Sequence, residues 1–280
     1  MKILVTGSNG QLGQSFRNTS LLYSEYNWHF MSSKDFDITN EKEVNRIFEK
    51  EKFDYCINCA AYTAVDSAEE DKDKAFLVNA KALEYLALNC EKFNSILVHV
   101  STDFVFDGLK KTPYTELDKP NPINIYGKSK LEGEANIEKF CSKYFIIRTS
   151  WVYSNYGNNF LKTMLRLEKV KKRLNIVNDQ TGTPTFAGDI ANAIMIIIQS
   201  NTGNYGIYNY SNEGETNWFD FARAIFNIID SKIEILPVSS NQYVTAAERP
   251  KNSVLNKDKI KKTFQIKIPN WKDSLEKLEL

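Results

Sequence analysis

The sequence predicts an α/β fold, a doubly wound parallel sheet of the Rossmann type with a smaller C-terminal lobe. Three observations predict it. Short apolar runs alternate with helix-length amphipathic segments through the first 150 residues. A glycine-rich turn directly follows the first apolar run, and the alternation becomes irregular after Trp151. Such alternation is typical of parallel strands joined by right-handed helical crossovers.

The alternation of apolar runs and amphipathic segments predicts the individual strands and helices. Strands are predicted at Lys2–Thr6, Trp28–Ser32, Asp54–Asn58, Ser95–Ser101 and Tyr144–Thr149. Helices are predicted from Gln11 onward and at Glu41–Lys50, Lys72–Lys92 and Tyr126–Lys139. After Trp151 we expect helices at Phe160–Lys172, Ala187–Gln199 and Trp218–Ile229, with extended pieces at Leu174–Val177 and Tyr205–Tyr210.

The glycine-rich turn predicts a dinucleotide-binding site. Residues 6–13 read Thr-Gly-Ser-Asn-Gly-Gln-Leu-Gly, between an apolar strand and a helix, which is the context that such a motif requires. Free N–H groups and the helix dipole attract anions at the start of that helix. We therefore expect residues 1–150 to form a dinucleotide-binding domain, with 174–200 packing back onto it and 151–280 forming mainly a substrate-binding lobe.

Composition argues against several other classes of function. Lys+Arg 36 against Asp+Glu 35 gives a formal net charge of +1, which does not support binding to nucleic acid or to a membrane surface. The longest apolar stretch, Ala193–Ile198, is far too short to span a bilayer. The first strand begins at once after Met1, without a signal peptide, so we expect a cytoplasmic protein.

Cysteine and histidine usage predicts no metal site. Four cysteines are too few for a disulfide scaffold in a chain of 280 residues. Cys56 and Cys59 have the spacing of a metal-binding pair, but no second Cys/His pair accompanies them, which favours core packing. His29 and His99 fall in predicted strands without partners at ligand spacing, and we interpret both as structural.

A tyrosine and a lysine supply a candidate catalytic pair. Tyr126 and Lys130 lie one turn apart on one face of a predicted helix. Because a nearby cation favours the phenolate, we expect Lys130 to lower the pKa of Tyr126 and make the phenol a proton donor near neutral pH. The pair is a weak signal by itself, and it indicates an enzyme only together with the glycine turn.

The motifs together resemble the extended short-chain dehydrogenase/reductase family and, within it, the dTDP-4-dehydrorhamnose reductases. The likeness covers nearly the whole chain. The glycine turn and Tyr-x-x-x-Lys belong to the entire family. The narrower likeness is carried by Asn58-Cys-Ala-Ala-Tyr-Thr-Ala-Val-Asp66, Ser101-Thr-Asp-Phe-Val-Phe-Asp-Gly108, Arg148-Thr-Ser-Trp-Val-Tyr153, Gly157-Asn-Asn-Phe160, Asp179-Gln-x-Gly-x-Pro-Thr185 and Arg249-Pro-x-Asn-Ser253.

This resemblance implies NADPH- or NADH-dependent reduction of the 4-keto group of dTDP-4-dehydro-6-deoxy-L-mannose to dTDP-L-rhamnose. It makes Thr102, Tyr126 and Lys130 the catalytic residues: Thr102 orients the keto oxygen, Tyr126 delivers a proton to it, and Lys130 holds the cofactor ribose. Cofactor contacts carry over to Gly7, Asn9, Gly10, Gln11, Leu12, Gly13, Asp37, Ile38, Ala61, Tyr62, Thr63, Tyr126 and Lys130. Substrate contacts carry over to Thr102, Asp103 and Trp151.

The end of the second predicted strand bears on the choice of cofactor. NAD-specific sites usually place an acidic residue there, which binds the ribose hydroxyl. This chain has Ser32, Ser33 and Lys34, which suit a 2′-phosphate and favour NADPH. Asp35 keeps NADH open as the alternative.

The sequence departs from some family members at a metal site. Those members bind a metal ion at a dimer interface through acidic residues, and the matching positions here are Ser15 and Gly188. Neither supplies a carboxylate for a hard cation. We therefore expect no metal, and a monomer or a weak homodimer.

Two alternative functions remain open at this point. Sugar-nucleotide 4,6-dehydratases and 4-epimerases share the fold and Tyr-x-x-x-Lys, but a dehydratase would show Asp-Glu after the threonine, whereas Phe104 follows Asp103 here. The regulatory subunit of methionine adenosyltransferase also resembles these reductases and binds nucleotide without turning it over.

Overall fold

The computed structural model describes residues 1–278, and the last two residues of the predicted C-terminal lobe lie outside that range. The strands are β1 (Lys2–Thr6), β2 (Asn27–Met31), β3 (Tyr55–Asn58), β4 (Ile96–Thr102), β5 (Tyr144–Thr149), β6 (Val152–Tyr153), β7 (Arg173–Val177), β8 (Thr181–Gly182), β9 (Thr185–Phe186), β10 (Gly206–Asn209), β11 (Thr216–Asn217) and β12 (Glu234–Val238). The helices are α1 (Gln11–Ser20), α2 (Glu41–Glu51), α3 (Lys72–Phe76), α4 (Ala82–Lys92), α5 (Ile125–Phe140), α6 (Phe160–Glu168), α7 (Ala187–Ser200), α8 (Trp218–Ile228), α9 (Asp258–Phe264) and α10 (Trp271–Glu276).

A six-stranded parallel sheet organises the chain. Its strand order is β10-β5-β4-β3-β1-β2, and each pair of neighbours is parallel. The predicted doubly wound fold is confirmed. The chain leaves β1 towards β2 on one side and returns to β3 on the other, so the carboxyl ends of β1 and β3 form the switch point at which such sheets bind ligands.

Both faces of the sheet are covered, because successive residues of a strand point to opposite sides. Ile3 and Val5 pack in the cluster that includes α7, whereas Leu4 packs on the other face with residues of α2 and α4. These three side chains are fully buried. Burying an aliphatic side chain of this size contributes about 1.5–3 kcal/mol.

The segment 174–200 divides between the two parts of the molecule. Helix α7 packs against the sheet in the same cluster as Phe16 of α1. Strand β7 instead pairs with β12 in a separate two-stranded sheet. A second cluster, built around Tyr153, Phe221 and Trp271, forms the core of the C-terminal lobe.

The helix predicted at Lys72–Lys92 contains a π-helical turn at Leu77–Lys81, between α3 and α4. The turn inserts extra backbone into the helix, and Asn79 lies buried within it. Such turns often lie at functional sites. Within the part of the chain that the structure describes, no helix is both long and apolar enough to cross a membrane.

Candidate active site

The glycine turn requires its glycines for close backbone contact. Gly7 has φ of +62°, and a Cβ there would lie 2.6 Å from the Ala60 backbone nitrogen. A Cβ on Gly13 would lie 2.5 Å from the Gly7 carbonyl oxygen. Both distances are impossible for a side chain, so the two glycines allow the turn to pack against β3 and α1 to pack against the turn.

Helix α1 begins at this turn with free donors. Its N-cap is Gly10, and no side chain of the described residues caps it. The first N–H groups of a helix have no partner within the helix, and together with the dipole they form an anion site. The start of α1 therefore suits a phosphate group.

A cleft of about 370 Å³ opens beside this helix start, at the carboxyl ends of β1, β2 and β3. It adjoins the predicted catalytic pair, because Tyr62 lines the cleft and packs in the same small cluster as Tyr126. The mixture of apolar and hydroxyl side chains suits an adenosine moiety. The lining residues are Gly7, Asn9, Gly10, Ser32, Ser33, Phe36, Asp37, Ile38, Thr39, Cys59, Ala60, Ala61, Tyr62, Lys74 and Val78.

Six of the predicted cofactor residues do not line this cleft: Gln11, Leu12, Gly13, Thr63, Tyr126 and Lys130. Leu12 packs in the core and Thr63 is exposed, while Gly13 serves the backbone packing described above. Gln11 accepts hydrogen bonds at its Oε1 from Asn159 Nδ2 (2.7 Å) and Ser154 Oγ (3.1 Å). Its side-chain oxygen therefore ties the glycine turn to the C-terminal lobe, while its backbone N–H points from the start of α1, where a phosphate would lie.

Thr102 and Tyr126 meet where β4 ends and α5 begins. Asn124 caps α5 by accepting the Gly127 N–H at 2.8 Å, which places Tyr126 in the first turn. The Tyr126 ring packs edge-on against Phe104, with 5.6 Å between ring centroids. Burial raises the pKa of Tyr126 to about 12, and a hydrogen bond with Thr102 opposes this shift.

The expected lowering of the Tyr126 pKa by Lys130 is therefore wrong for this structure. Lys130 is fully buried, and its Nζ lies 2.7 Å from the Val100 carbonyl oxygen and 2.9 Å from His99 Nε2. Burial also lowers the pKa of Lys130 to about 7, opposed by the nearby Glu134 and Cys59. Desolvation, which penalises both the phenolate and the ammonium, is thus the dominant effect at both residues.

The other two predicted substrate residues, Asp103 and Trp151, lie just after the ends of β4 and β5. Asp103 is buried next to Thr102, whose Oγ1 lies 3.1 Å from Asp103 Oδ1. Burial raises the pKa of Asp103 to about 7. Trp151 has φ of +46° and stacks on Trp218 at 3.6 Å between ring centroids. A Cβ on Gly182 would lie 2.5 Å from the Trp151 ring, so a glycine is needed there.

Arg17 is a candidate cofactor residue that the sequence analysis missed. Its Nη2 lies 3.3 Å from Ser8 Oγ, and its guanidinium stacks at 4.5 Å from the centre of the Phe30 ring. This places a cation between the glycine turn and the end of β2, where an arginine accommodates a 2′-phosphate in NADP sites. Asp35 is engaged nearby, since its Oδ2 accepts from Ser32 Oγ at 2.7 Å.

Asn79 is a second residue that was missed. Its amide accepts the Tyr62 N–H at 2.8 Å, and its Nδ2 lies 3.0 Å from both the Tyr62 carbonyl oxygen and Ser129 Oγ. It therefore joins the cleft to α5. The only signal in the sequence would have been a buried polar residue on the apolar face of a helix.

Ser15 and Gly188 line one cavity of about 190 Å³. The other residues that line it are Asn18, Thr19, Asn155, Tyr156, Phe186 and Asn192, none of them a carboxylate. Among residues 1–278 no group of three or more His, Cys, Asp and Glu side chains is arranged to hold a metal ion. The residues of this cavity do not fit a hard cation, which binds through charged oxygen ligands.

Known proteins resemble this chain along nearly its whole length. The family model for the RmlD substrate binding domain matches residues 1–279. The dTDP-4-dehydrorhamnose reductase of Aggregatibacter actinomycetemcomitans is 40% identical over 287 residues, which cover 99% of this chain and 98% of that protein.

Two solved structures are similar to this chain to the same degree. The dTDP-4-dehydrorhamnose reductase of Bacillus anthracis, in complex with NADP, has a TM-score of 0.94 and 40% identity, covering 98% of this chain and 97% of that one. The corresponding protein of Clostridium acetobutylicum has a TM-score of 0.94 and 40% identity, covering 99% and 97%. The chain therefore belongs to the RmlD family, the family of the dTDP-4-dehydrorhamnose reductases.

Proposed function

We propose that the protein reduces the 4-keto group of dTDP-4-dehydro-6-deoxy-L-mannose to give dTDP-L-rhamnose, with NADPH as the preferred cofactor. One observation carries the proposal. Thr102 and Tyr126 meet beside a cleft of about 370 Å³, with Lys130 one helical turn further along α5, in a chain that is 40% identical to a dTDP-4-dehydrorhamnose reductase along nearly its whole length.

The cleft residues fit a dinucleotide. The start of α1 offers N–H groups to its phosphates, while Asp37, Ile38, Ala61 and Tyr62 line the part of the cleft that suits adenosine. Arg17 and Ser32 provide a cation and a hydroxyl for a 2′-phosphate. When bound, a reduced nicotinamide supplies the hydride.

Tyr126 acts as the proton donor. Its raised pKa keeps the phenol protonated throughout the neutral range, and an alkoxide that forms on the keto oxygen is a stronger base than the phenolate. The Thr102 hydroxyl, next to the phenol, orients the same oxygen. Lys130, one turn further along α5, holds the cofactor ribose.

The substrate lies against the C-terminal lobe in this proposal. Asp103 and Trp151 contact the sugar nucleotide, with the Trp151 ring held by its stack on Trp218. Four free cysteines are consistent with a reducing compartment, and we include a cytoplasmic location in the proposal. Because no carboxylate lines the cavity of Ser15 and Gly188, we further propose a monomer or a weak homodimer.

Two other functions are less well supported. A dehydratase requires an acid for the elimination of water, and Phe104 occupies the position after Asp103 where it would be expected. A non-catalytic nucleotide-binding subunit would have no use for a buried Thr102, Tyr126 and Lys130 set. Both alternatives predict no net consumption of reduced cofactor.

Turnover of purified protein with NADPH and dTDP-4-dehydro-6-deoxy-L-mannose tests the proposal. We expect one equivalent of cofactor to be oxidised for each dTDP-L-rhamnose formed, measured by loss of the reduced-nicotinamide absorbance and by chromatography of the product. Cofactor binding without oxidation would favour the non-catalytic alternative. Conversion of the sugar without oxidation of the cofactor would favour an epimerase.

A further inference from the structure

A row of buried polar side chains runs beneath the cofactor cleft and ends at Lys130. Thr6, Asn58 and His99 are register partners on the adjacent strands β1, β3 and β4, and they are 1%, 0% and 0% exposed. Thr6 Oγ1 lies 2.5 Å from Asn58 Oδ1, Asn58 Nδ2 lies 3.0 Å from His99 Nδ1, and His99 Nε2 lies 2.9 Å from Lys130 Nζ. A continuous hydrogen-bonded row therefore connects the residue before the glycine turn with the candidate catalytic lysine.

The orientation of the Asn58 amide follows from its other contact. Asn58 Nδ2 donates to the Ala60 carbonyl oxygen at 3.3 Å. If the amide were rotated, its oxygen would face that carbonyl and two acceptors would meet without a proton between them. Asn58 therefore presents its NH₂ group to His99.

This orientation fixes the tautomer of His99. An amide NH₂ only donates, so His99 Nδ1 accepts and carries no proton. Burial holds the pKa of His99 well below its usual range, so the ring is neutral. A neutral ring with a bare Nδ1 carries its proton on Nε2, and that N–H points at Lys130 Nζ. An ammonium has no lone pair with which to accept it.

We propose that the row of Thr6, Asn58 and His99 holds Lys130 as a neutral amine in the free protein from neutral pH upward, with His99 as the positioning residue that donates its Nε2–H to Lys130 Nζ. The amine then keeps two N–H donors, and one of them bonds the Val100 carbonyl oxygen at 2.7 Å. The ammonium, which holds the ribose in the proposed function, forms only at lower pH.

Other titratable groups near Lys130 act in the opposite direction. Cys59, after β3, and Glu134, on α5, both raise the pKa of Lys130, and Glu134 is itself ion-paired with Arg148. Tyr126 lies one turn earlier on α5. Desolvation exceeds these contributions, so the direction of the Lys130 shift agrees with the proton arrangement of the row.

Nitrogen NMR of the histidine rings tests the tautomer without any need for activity. The chain has only two histidines, and a His29→Gln variant assigns their signals. We expect His99 to remain neutral with its proton on Nε2 across the neutral pH range. A proton on Nδ1, or a charged ring, would overturn the proposal, because Lys130 would then be the donor.

A second test measures the ionisation of Lys130. It depends on the proposed function only where turnover, rather than cofactor binding, is measured. A glutamine at position 99 offers an amide oxygen to the ammonium, so His99→Gln should raise the pKa of Lys130. Cofactor affinity, which needs the ammonium, should then decline about one pH unit higher than in the wild type. His29→Gln, the same change on β2, should leave this pH dependence unaltered.

An unchanged pH dependence in folded His99→Gln protein would contradict the proposal. Affinity for NADPH is measured by fluorescence titration as well as by kcat/KM. A protein that binds cofactor with the expected shift but does not turn over would retain this inference and refute the proposed reductase activity. If His99→Gln does not fold, the histidine nitrogen NMR spectra of the wild type test the proposal by themselves.

Discussion

Glu134 on α5 and Arg148 on β5 form a buried ion pair, with 2.6 Å between Arg148 Nη2 and Glu134 Oε2 and side chains only 1% and 2% exposed. Arg148 Nε contacts the same carboxylate, and Ser101 Oγ donates to it at 2.5 Å. Glu134 lies one turn beyond Lys130. The pair therefore anchors the helix that carries Tyr126 and Lys130 to the sheet.

Replacing Glu134 with Gln should destabilise the protein strongly. The change leaves the Arg148 guanidinium buried without its counter-charge, which costs about 3–5 kcal/mol. Urea unfolding measures the loss. Glu132→Gln, on an exposed position of the same helix, is the control and should change stability by less than about 0.5 kcal/mol. Equal stability of the two variants would show that the pair does not anchor α5.

Replacing Tyr126 with Phe should abolish most reduction while cofactor binding stays nearly intact, because only the transferable proton is lost. General acid catalysis contributes roughly 10²–10⁴-fold, and kcat should fall within that range. Tyr144→Phe, whose hydroxyl contacts Glu138 at the surface, is the matched control. A Tyr126→Phe protein that kept more than about half of its kcat would disprove the proposed role.

Lys130→Met should harm cofactor affinity more than Tyr126→Phe does, since the ammonium is proposed to hold the ribose. Burial lowers the pKa of Lys130 to about 7. The ammonium is therefore present below that pH, and wild-type affinity should fall as the pH rises through it. The variant should lose this dependence. Lys128→Met, on an exposed position of α5, should behave like the wild type. The role fails if Lys130→Met retains both the affinity and the pH dependence.

The end of β2 should determine the choice of cofactor. We expect the wild type to have a higher kcat/KM with NADPH than with NADH, and Arg17→Ala and Lys34→Ala each to reduce that ratio by removing a cation near the 2′-phosphate. Steady-state kinetics of the wild type and the two variants, each with NADPH and with NADH, measure this ratio. A wild-type preference for NADH would mean that Asp35 or Asp37 binds the ribose hydroxyls instead.

Divalent metal should be dispensable. Ser15 and Gly188 line a cavity without a carboxylate, so we expect a chelator to leave turnover and the sedimentation profile unaltered. Asp189, the nearest acidic residue in sequence to Gly188, already accepts hydrogen bonds from Asn212 and Ser274. Loss of activity or a fall in sedimenting mass on chelation would place a metal ion elsewhere in the molecule.

The first half of the fold could be predicted because its signals are local. Each strand is a short apolar run, and the tight contacts at Gly7 and Gly13 leave room for no other residue. The π-helical turn at Leu77–Lys81 was missed, since one extra backbone residue barely alters the helical period. The pairing of β7 with β12 was also missed, because it joins two short strands far apart in the chain.

The roles of individual site residues depend on contacts that no spacing reveals. His99 had no partner at ligand spacing, yet the fold brings it to Lys130, 31 residues away. Gln11 lies within the glycine turn, but the C-terminal lobe engages its side chain through Asn159. The spacing of Tyr126 and Lys130 was informative about their shared helix face, whereas their pKa values depend on burial, which is a tertiary property.

Transfer of a labelled hydride tests the central claim most directly. NADPH that carries deuterium on the transferable position of its nicotinamide is incubated with the protein and dTDP-4-dehydro-6-deoxy-L-mannose, and the sugar product is analysed by NMR and mass spectrometry. A reductase must place one deuterium on C4 of a dTDP-L-rhamnose product. Unlabelled product, or deuterium at another carbon, would contradict the assignment of this protein as a 4-keto reductase.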